Sequence, residues 1–241
     1  MDCVSILAHP PVQRHGARPF SVCITIRSTN MPSPLHLRKR LFAWMMSGGS
    51  EGCADDTLSA QYKRRLFADL HGDVIEIGPG GGANLAYLKG RDVRWIGIEP
   101  NPYMHPYLKA EAARLGLNPE LRSGVAENID APDASADGII CTHVLCSVSD
   151  QAAVLREALR VLRPGGRFVF IEHVAARDGA LRTAQNLITP AWRIIGDGCH
   201  PNRETWVALQ NAGFERLEIE HYRVDAPIFG PHIAGVGRKE I

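Results

Sequence analysis

The sequence predicts an α/β fold: a mostly parallel sheet, covered by helices on both faces, that ends in an antiparallel pair of strands. Three observations predict it. From Asp73 onward short apolar runs alternate with amphipathic stretches, the pattern of strands joined by helical crossovers. A glycine-rich stretch, E-I-G-P-G-G-G-A at 76–83, lies where the first strand gives way to a helix. The last two strand-like runs, 215–223 and 232–238, have no helix-length segment between them and so should be antiparallel.

The elements follow in order. Residues 35–46, LHLRKRLFAWMM, read as a helix that packs Leu41, Phe42 and Met45 onto the domain. A basic, apolar helix can also lie on a membrane surface, and packing is the preferred reading. Gly48 and Gly49 then break the chain. A second helix spans 57–70, with Leu58, Tyr62, Leu66 and Leu70 on one face. VIEIG at 74–78 is a buried strand, followed by a helix from near Ala83. The second strand is 93–98, and a helix runs from about Pro102, in its first turn, to Leu115. Short strands are expected at 120–123 and 138–142. Asp150 caps a helix whose Val154, Leu155, Ala158, Leu159, Val161 and Leu162 face the core. Pro164-Gly165-Gly166 turns the chain into the strand RFVFIE. Asn202 is expected to cap a helix reaching about Ala212, which Gly213 ends.

Three regions result. Residues 1–30 carry Pro10, Pro11, Gly16 and Pro19 and no period, and read as a disordered extension or one preceding a true start at Met31. Their Arg14, Arg18 and Arg27 leave a transit peptide as the alternative. Residues 31–70 are N-terminal helices, and 71–241 form the main domain. The chain has 241 residues and a net charge of +1, which gives no electrostatic pull on a polyanion, so nucleic acid is not an expected partner. No apolar run is long enough to span a bilayer. Six cysteines without C-x-x-C spacing suggest reduced thiols in a cytoplasmic protein.

The glycine loop sits where ligands bind in open α/β sheets, beyond the carboxyl ends of the strands. Gly78, Gly80 and Ala83 satisfy even a dinucleotide pattern, so glycines alone do not name the ligand. Glu76, inside the strand, would crowd a pyrophosphate but could accept from an ammonium group. S-adenosylmethionine has that group and no phosphate, and its carboxylate could sit at the helix start near Asn84. Glu99, about twenty residues on, can hold both ribose hydroxyls of either ligand. An NAD-type oxidoreductase therefore stays open at this point, and the antiparallel end argues against it.

The chain resembles class I S-adenosylmethionine-dependent methyltransferases, with their Rossmann-like, seven-stranded sheet. The loop, Glu99, G-V-A-E at 124–127 and V-L-R-P-G-G-R-F at 161–168 carry the resemblance in order. It implies that Gly78, Gly80 and Gly82 line the cofactor, that Glu99 holds ribose flanked by Pro100 and Asn101, and that Ala126 and Glu127 meet adenine. Thr142 and His143 would border the same cofactor. Within the class the chain is similar to the methyltransferase-like thiol S-methyltransferases. The carrying segments are I-E-P-N-P at 98–102, C-T-H-V-L-C-S-V at 141–148, E-H-V-A-A at 172–176, and D-G-C at 197–199 with R-E-T-W at 203–206. This implies a small-molecule acceptor, a thiol first and a quinol, phenol or lipid otherwise. The chain departs from the animal members in lacking their hydrophobic N-terminal anchor and in placing His143 where an apolar residue is usual.

His143, Cys146, His173, Asp197, Cys199 and His200 are the polar residues expected near the methyl group. His173, Cys146 and Asp197 are the catalytic candidates, with His173 as a base because imidazole titrates near neutrality. Cys141 reads as a buried apolar side chain. Cys199 and His200 with Cys141 and His143 match no structural zinc spacing, so no metal is expected.

Overall fold

Strands β1 (Gly72–Ile77), β2 (Val93–Ile98), β3 (Glu120–Arg122), β4 (Ala136–Thr142), β5 (Leu162–His173), β6 (Arg216–Arg223) and β7 (Pro231–Arg238) form one seven-stranded sheet of order β3-β2-β1-β4-β5-β7-β6. The first five are parallel, and β7 lies antiparallel between β5 and β6. The computed structural model describes residues 33–47, 57–177 and 179–241. Ser33–Ile241 forms one compact unit. The expectations for residues 1–30 and for Gly48-Gly49 lie outside the described residues.

Strand periodicity builds two apolar layers. Successive side chains of a strand point to opposite faces. Ile139, Cys141, Phe168 and Phe170 accordingly join one buried cluster, with Val154, Leu155 and Ala158 of α5 (Gln151–Val161). Ile140, Val169 and Ile171 join the other, with Leu66 of α2 (Thr57–Leu66) and Leu108 of α4 (His105–Leu115). Both faces being covered explains the unbroken apolar runs of β4 and β5. Each such side chain contributes roughly 1.5–3 kcal/mol when buried.

Chain order reverses beside β1, which pairs with β2 on one side and β4 on the other. The carboxyl ends of β1 and β4 therefore mark the switch point at which such sheets bind ligands.

Local differences from the expected elements have physical reasons. The helix after the glycine loop, α3, is only Leu85–Leu88, because the loop winds in turns before it. α4 starts at His105 with Pro106 in its first turn, and Pro102 lies before it. Gly165 and Gly166 do not turn into a strand but run within β5, tied to Lys239 by Gly165 N–H to Lys239 O and Lys239 N–H to Gly166 O. Asn202 caps nothing: its amide donates to Asn186, and α7 (Thr205–Gln210) starts after Glu204. In α1 (Pro34–Ser47) the inward residues are Ala43 and Ser47, whereas Leu41 and Met45 are exposed. Leu58 is likewise exposed, and Leu66, Phe67 and Leu70 are buried in its place. Residues 179–195 carry no expected element, since Pro190 interrupts any helical reading. They form the longest helix among the described residues, α6 (Gly179–Ile195), around that proline. No helix among the described residues is long and apolar enough to cross a membrane.

Candidate active site

The crevice begins at the glycine loop. Gly78 has φ +64°, and a Cβ there would come within 2.5 Å of Val144 Cγ2, so the loops after β1 and β4 touch where only glycine fits. Gly80 has φ +55° and the opposite surroundings: nothing lies within 4 Å of where its Cβ would be. Glu99, just past β2 and 5% exposed, faces this loop. It accepts from Gly80 N–H at 2.9 Å and Asn101 N–H at 2.8 Å. Burial pushes its pKa up, and those two N–H groups oppose the shift. A carboxylate has about four acceptor sites, so room remains for a diol.

Glu76 sits deeper than expected. Its carboxylate accepts from Asn84 Nδ2 and Trp95 Nε1, both at 2.8 Å, and only 1% of the residue is exposed. It thereby aims the Asn84 side chain. The Asn84 amide also donates to Thr142 Oγ1 at 2.8 Å, while its Oδ1 is buried with no partner. An orphaned buried acceptor costs about 1–3 kcal/mol, which an ammonium donor would recover. The cofactor carboxylate is expected at the helix start. α3 has four residues, and Gly82 N–H and Leu85 N–H are already bonded to Pro79 O and Gly82 O. The orphaned Asn84 acceptor, the opening at Gly80 and the partly used Glu99 fit the amino group and ribose of S-adenosylmethionine.

The other expected cofactor residues frame this space. Asn101 is buried, with its Oδ1 accepting from Tyr103 N–H and its amide donating to Lys39 O of α1. Pro100 is exposed. Ala126 is buried, and Glu127 accepts from Ser149 N–H at 2.9 Å, tying the loop after β3 to the loop after β4.

The acceptor side is organised by a residue that motif reading passed over. Glu172, fully buried near the end of β5, accepts from Val144, Leu145 and Cys146 N–H at 2.8, 2.9 and 3.2 Å. Burial raises its pKa, against the pull of those N–H groups. It thereby fixes the backbone of Cys146. His173 follows, with Nε2 3.1 Å from Cys199 Sγ, which also accepts from Trp192 Nε1 at 3.2 Å. His173 Nδ1 is buried without a partner. The ligand atoms of Cys146, His173 and Cys199 all lie within 4.8 Å of one another. The neighbouring Cys146 thiol, then His173 and Trp192, pull the Cys199 pKa down to about 4, while that of Cys146 is driven well up by the same partner and by burial. Of the two, Cys199, which has the two extra donors, is the better placed to carry negative charge.

His143 lies at φ +56° and is open to solvent on one side while neighbouring protein encloses the rest. Surrounding protein, then His173 and His232, push its pKa well below the usual imidazole range. Its ring is 6.1 Å from that of His173 and 5.5 Å from that of His232. Phe229 packs edge-on against His173 at 5.6 Å. Asp197, also at positive φ (+49°), stands apart from the thiols and pairs with Arg38 of α1 at 3.1 Å. His200 stays near the group, its Nδ1 3.3 Å from Cys146 O.

His173 and Cys146 are thus brought together, and Asp197 belongs to the contact between α1 and the crevice. Sequence reasoning missed Glu172, Trp192, Phe229 and His232. Glu172 left a signal, since an acid ending the apolar run VFI must be buried and bonded. The other three come from segments far apart in the chain and left none. The two cysteines and the histidine that meet likewise come from three separate segments, a grouping no local spacing encodes.

Comparisons with known proteins agree with this geometry. Residues 75–170 match the Methyltransferase domain family. The chain is 40% identical to human thiol S-methyltransferase TMT1A over 75% of this chain and 79% of that protein. It is 39% identical to human thiol S-methyltransferase TMT1B over 72% and 76% respectively. Among solved structures, an S-adenosylmethionine-dependent methyltransferase from Thermotoga maritima, described as a possible histamine N-methyltransferase, superposes with a TM-score of 0.62 at 20% identity, covering 84% of this chain and 100% of that one. The latter likeness speaks for the fold alone. With a crevice shaped for S-adenosylmethionine and these relatives, the chain belongs to the thiol S-methyltransferase family of class I S-adenosylmethionine-dependent methyltransferases.

Proposed function

We propose that this methyltransferase transfers the methyl group of S-adenosylmethionine to the sulfur of a small thiol. The observation that carries the reading is the 40% identity with a human thiol S-methyltransferase across 79% of its length. Rings of His143, His173, Phe229 and Trp192 around two cysteines give the acceptor side a soft, largely apolar wall that suits sulfur.

Bound S-adenosylmethionine supplies an electrophilic methyl carbon on a sulfonium. The chain's own part is holding and orienting. Glu99, Asn84 and the Gly80 opening seat the cofactor, with Gly78, Gly82, Asn101, Thr142, Ala126 and Glu127 shaping the walls. Good positioning supplies about 7–11 kcal/mol. Ionising a thiol of pKa about 8.5 at neutral pH supplies only about 2 kcal/mol. Positioning is the larger effect. His173 is not a lone base, because Nε2 is engaged by Cys199. Cys146, His173 and Cys199 act together on the acceptor side, and Asp197 is a positioning residue through Arg38. Near-neutral charge supports a small molecule as the partner over nucleic acid. Free, buried Cys141, Cys146 and Cys199 suit a reducing compartment such as the cytoplasm.

The test is transfer of labelled methyl to a panel of alkyl thiols, phenols, quinols, amines and lipids. Thiols should gain label at least roughly tenfold faster, a ~1.4 kcal/mol preference. Preferential labelling of a quinol, phenol or lipid would replace the thiol as acceptor.

A further inference from the structure

Cys146, His173 and Cys199 lie in three different segments, yet each is fixed before it meets the others. Glu172 holds the Cys146 backbone, and His200 N–H donates to Cys146 O at 2.9 Å. His173 is the last residue of β5, paired with His232 of β7. Cys199 N–H donates to Gly196 O at 3.1 Å, and Trp192 bonds its sulfur. Three soft ligand atoms, each on a fixed backbone and all buried, converge within 4.8 Å.

We propose that Cys146, His173 and Cys199 bind a zinc ion whose open fourth position takes the sulfur of the acceptor thiol, an inference that rests on the thiol reading above. Two thiolates and a neutral imidazole are the ligand chemistry zinc prefers, and three protein ligands with one position open mark a catalytic site, not a structural one. Tetrahedral bonds of about 2.3 Å to sulfur and 2.0–2.1 Å to nitrogen place ligand atoms roughly 3.6–3.8 Å apart. Cys199 Sγ and His173 Nε2, at 3.1 Å, need open by only about half an ångström to admit the ion. Before the acceptor binds, two thiolates neutralise the divalent charge, which suits a buried site. The indole N–H of Trp192 on Cys199 is the kind of outer hydrogen bond that orients a metal-bound ligand. An approach for the acceptor is offered on the side of His143, an exposed residue whose ring stacks 6.1 Å from that of His173.

The chemistry balances. On joining zinc the acceptor thiol gives its S–H proton to solvent and becomes a bound thiolate. Its lone pair forms the new bond to the methyl carbon. The bond from that carbon to the sulfonium breaks, its electron pair stays on the departing S-adenosylhomocysteine, and the neutral thioether leaves zinc.

The test is metal analysis of the full chain after zinc loading and gel filtration. About one zinc per chain is expected in the wild type, and less than about a tenth as much in Cys146→Ser and Cys199→Ser. Because either variant can fail to fold, the wild-type protein is also loaded with cobalt(II). Thiolate-to-metal charge-transfer bands and intense tetrahedral visible bands are expected, and they should shift when an alkyl thiol is added. Absence of retained metal and of these bands would overturn the site. So would a Cys146–Cys199 disulfide found by mass spectrometry in metal-free protein that is fully active. Undiminished thiol methylation after chelation would overturn the activating role and leave the thiol reading standing. A metal-loaded protein whose bands ignore thiols, and which methylates another acceptor class, would sink the thiol reading and the fourth-ligand role together.

Discussion

The two edges of the sheet treat carboxylates in opposite ways. At the edge where the strands start, Asp73 of β1 and Asp137 of β4 face arginines. Asp73 pairs with Arg94 at 2.6 Å and Arg163 at 2.8 Å, and Asp137 also pairs with Arg163. Bonds from Arg94 and Arg163 hold the Asp73 carboxyl down to about 2. At the edge where the strands finish, Glu76, Glu99 and Glu172 are buried, accept hydrogen bonds from the Asn84 amide, the Trp95 indole and backbone N–H groups, and are shifted upward by burial. The starting edge uses charge where water screens it. The finishing edge aims loops with desolvated acids, which is costly unless every bond is made. That asymmetry separates an edge that closes the fold from an edge that holds ligands.

The sharpest way to break the comparison is Glu172→Ala. It strips three backbone N–H groups of their acceptor, at about 1–3 kcal/mol for each unsatisfied group. Urea unfolding should show a loss of about 3 kcal/mol or more. A loss below about 1 kcal/mol would mean that the loop after β4 is held by something else. Gly80→Ala comes next. The added methyl enters open space, so folding should lose only about 1–2 kcal/mol for the left-handed backbone. Calorimetric titration with S-adenosylhomocysteine should nevertheless weaken roughly a hundredfold, about 2.7 kcal/mol. Unchanged affinity in the folded variant would move the cofactor off this loop. Glu99→Gln keeps an acceptor oxygen but loses the charge, and affinity should fall about tenfold, or ~1.4 kcal/mol. The smallest effect belongs to the starting edge. Asp73 has a depressed folded pKa, so its contribution is present above the unfolded value of about 3.9 and fades as pH falls through about 2. Wild-type stability should therefore drop across that acid window, and Asp73→Asn should flatten the drop slightly, because the Arg94 side chain is 65% exposed and its pairing is screened. An Asp73→Asn loss at neutral pH as large as that of Glu172→Ala would abolish the distinction between the edges.

Much of the frame is legible in the sequence because it is periodic. Ile139 and Ile140 declare a strand buried on both faces, and Asp150 declares a helix start, which its bond to Ala153 N–H realises. The cofactor side is legible as motif, but not in its wiring. Glu76 and Asn84 are eight positions apart, and nothing in that spacing says that one carboxylate aims one amide at an empty place. The acceptor side is the least legible. Cys146, His173 and Cys199 meet only because β4 and β5 end side by side and the turn after α6 brings Cys199 to His173, and α6 itself is hidden by Pro190. Long-range juxtaposition of single residues leaves no local period to read.

The position of β7 bears on how this chain acquires its shape in time. β6 precedes β7 along the chain but pairs with β7 alone, and β7 fills the gap between β6 and β5. During synthesis β6 therefore leaves the ribosome with no neighbour to join, its backbone donors unclaimed until the next strand arrives. His232 travels with that later strand, and it seats against Tyr222 and near His143 and His173 only when β7 docks. Insertion of a late strand between two earlier ones makes pairings of large sequence separation the slow step. The acceptor side is thus the last part of the enzyme to exist, so a nascent or C-terminally nicked chain would seat its cofactor loop well before it could accept a substrate.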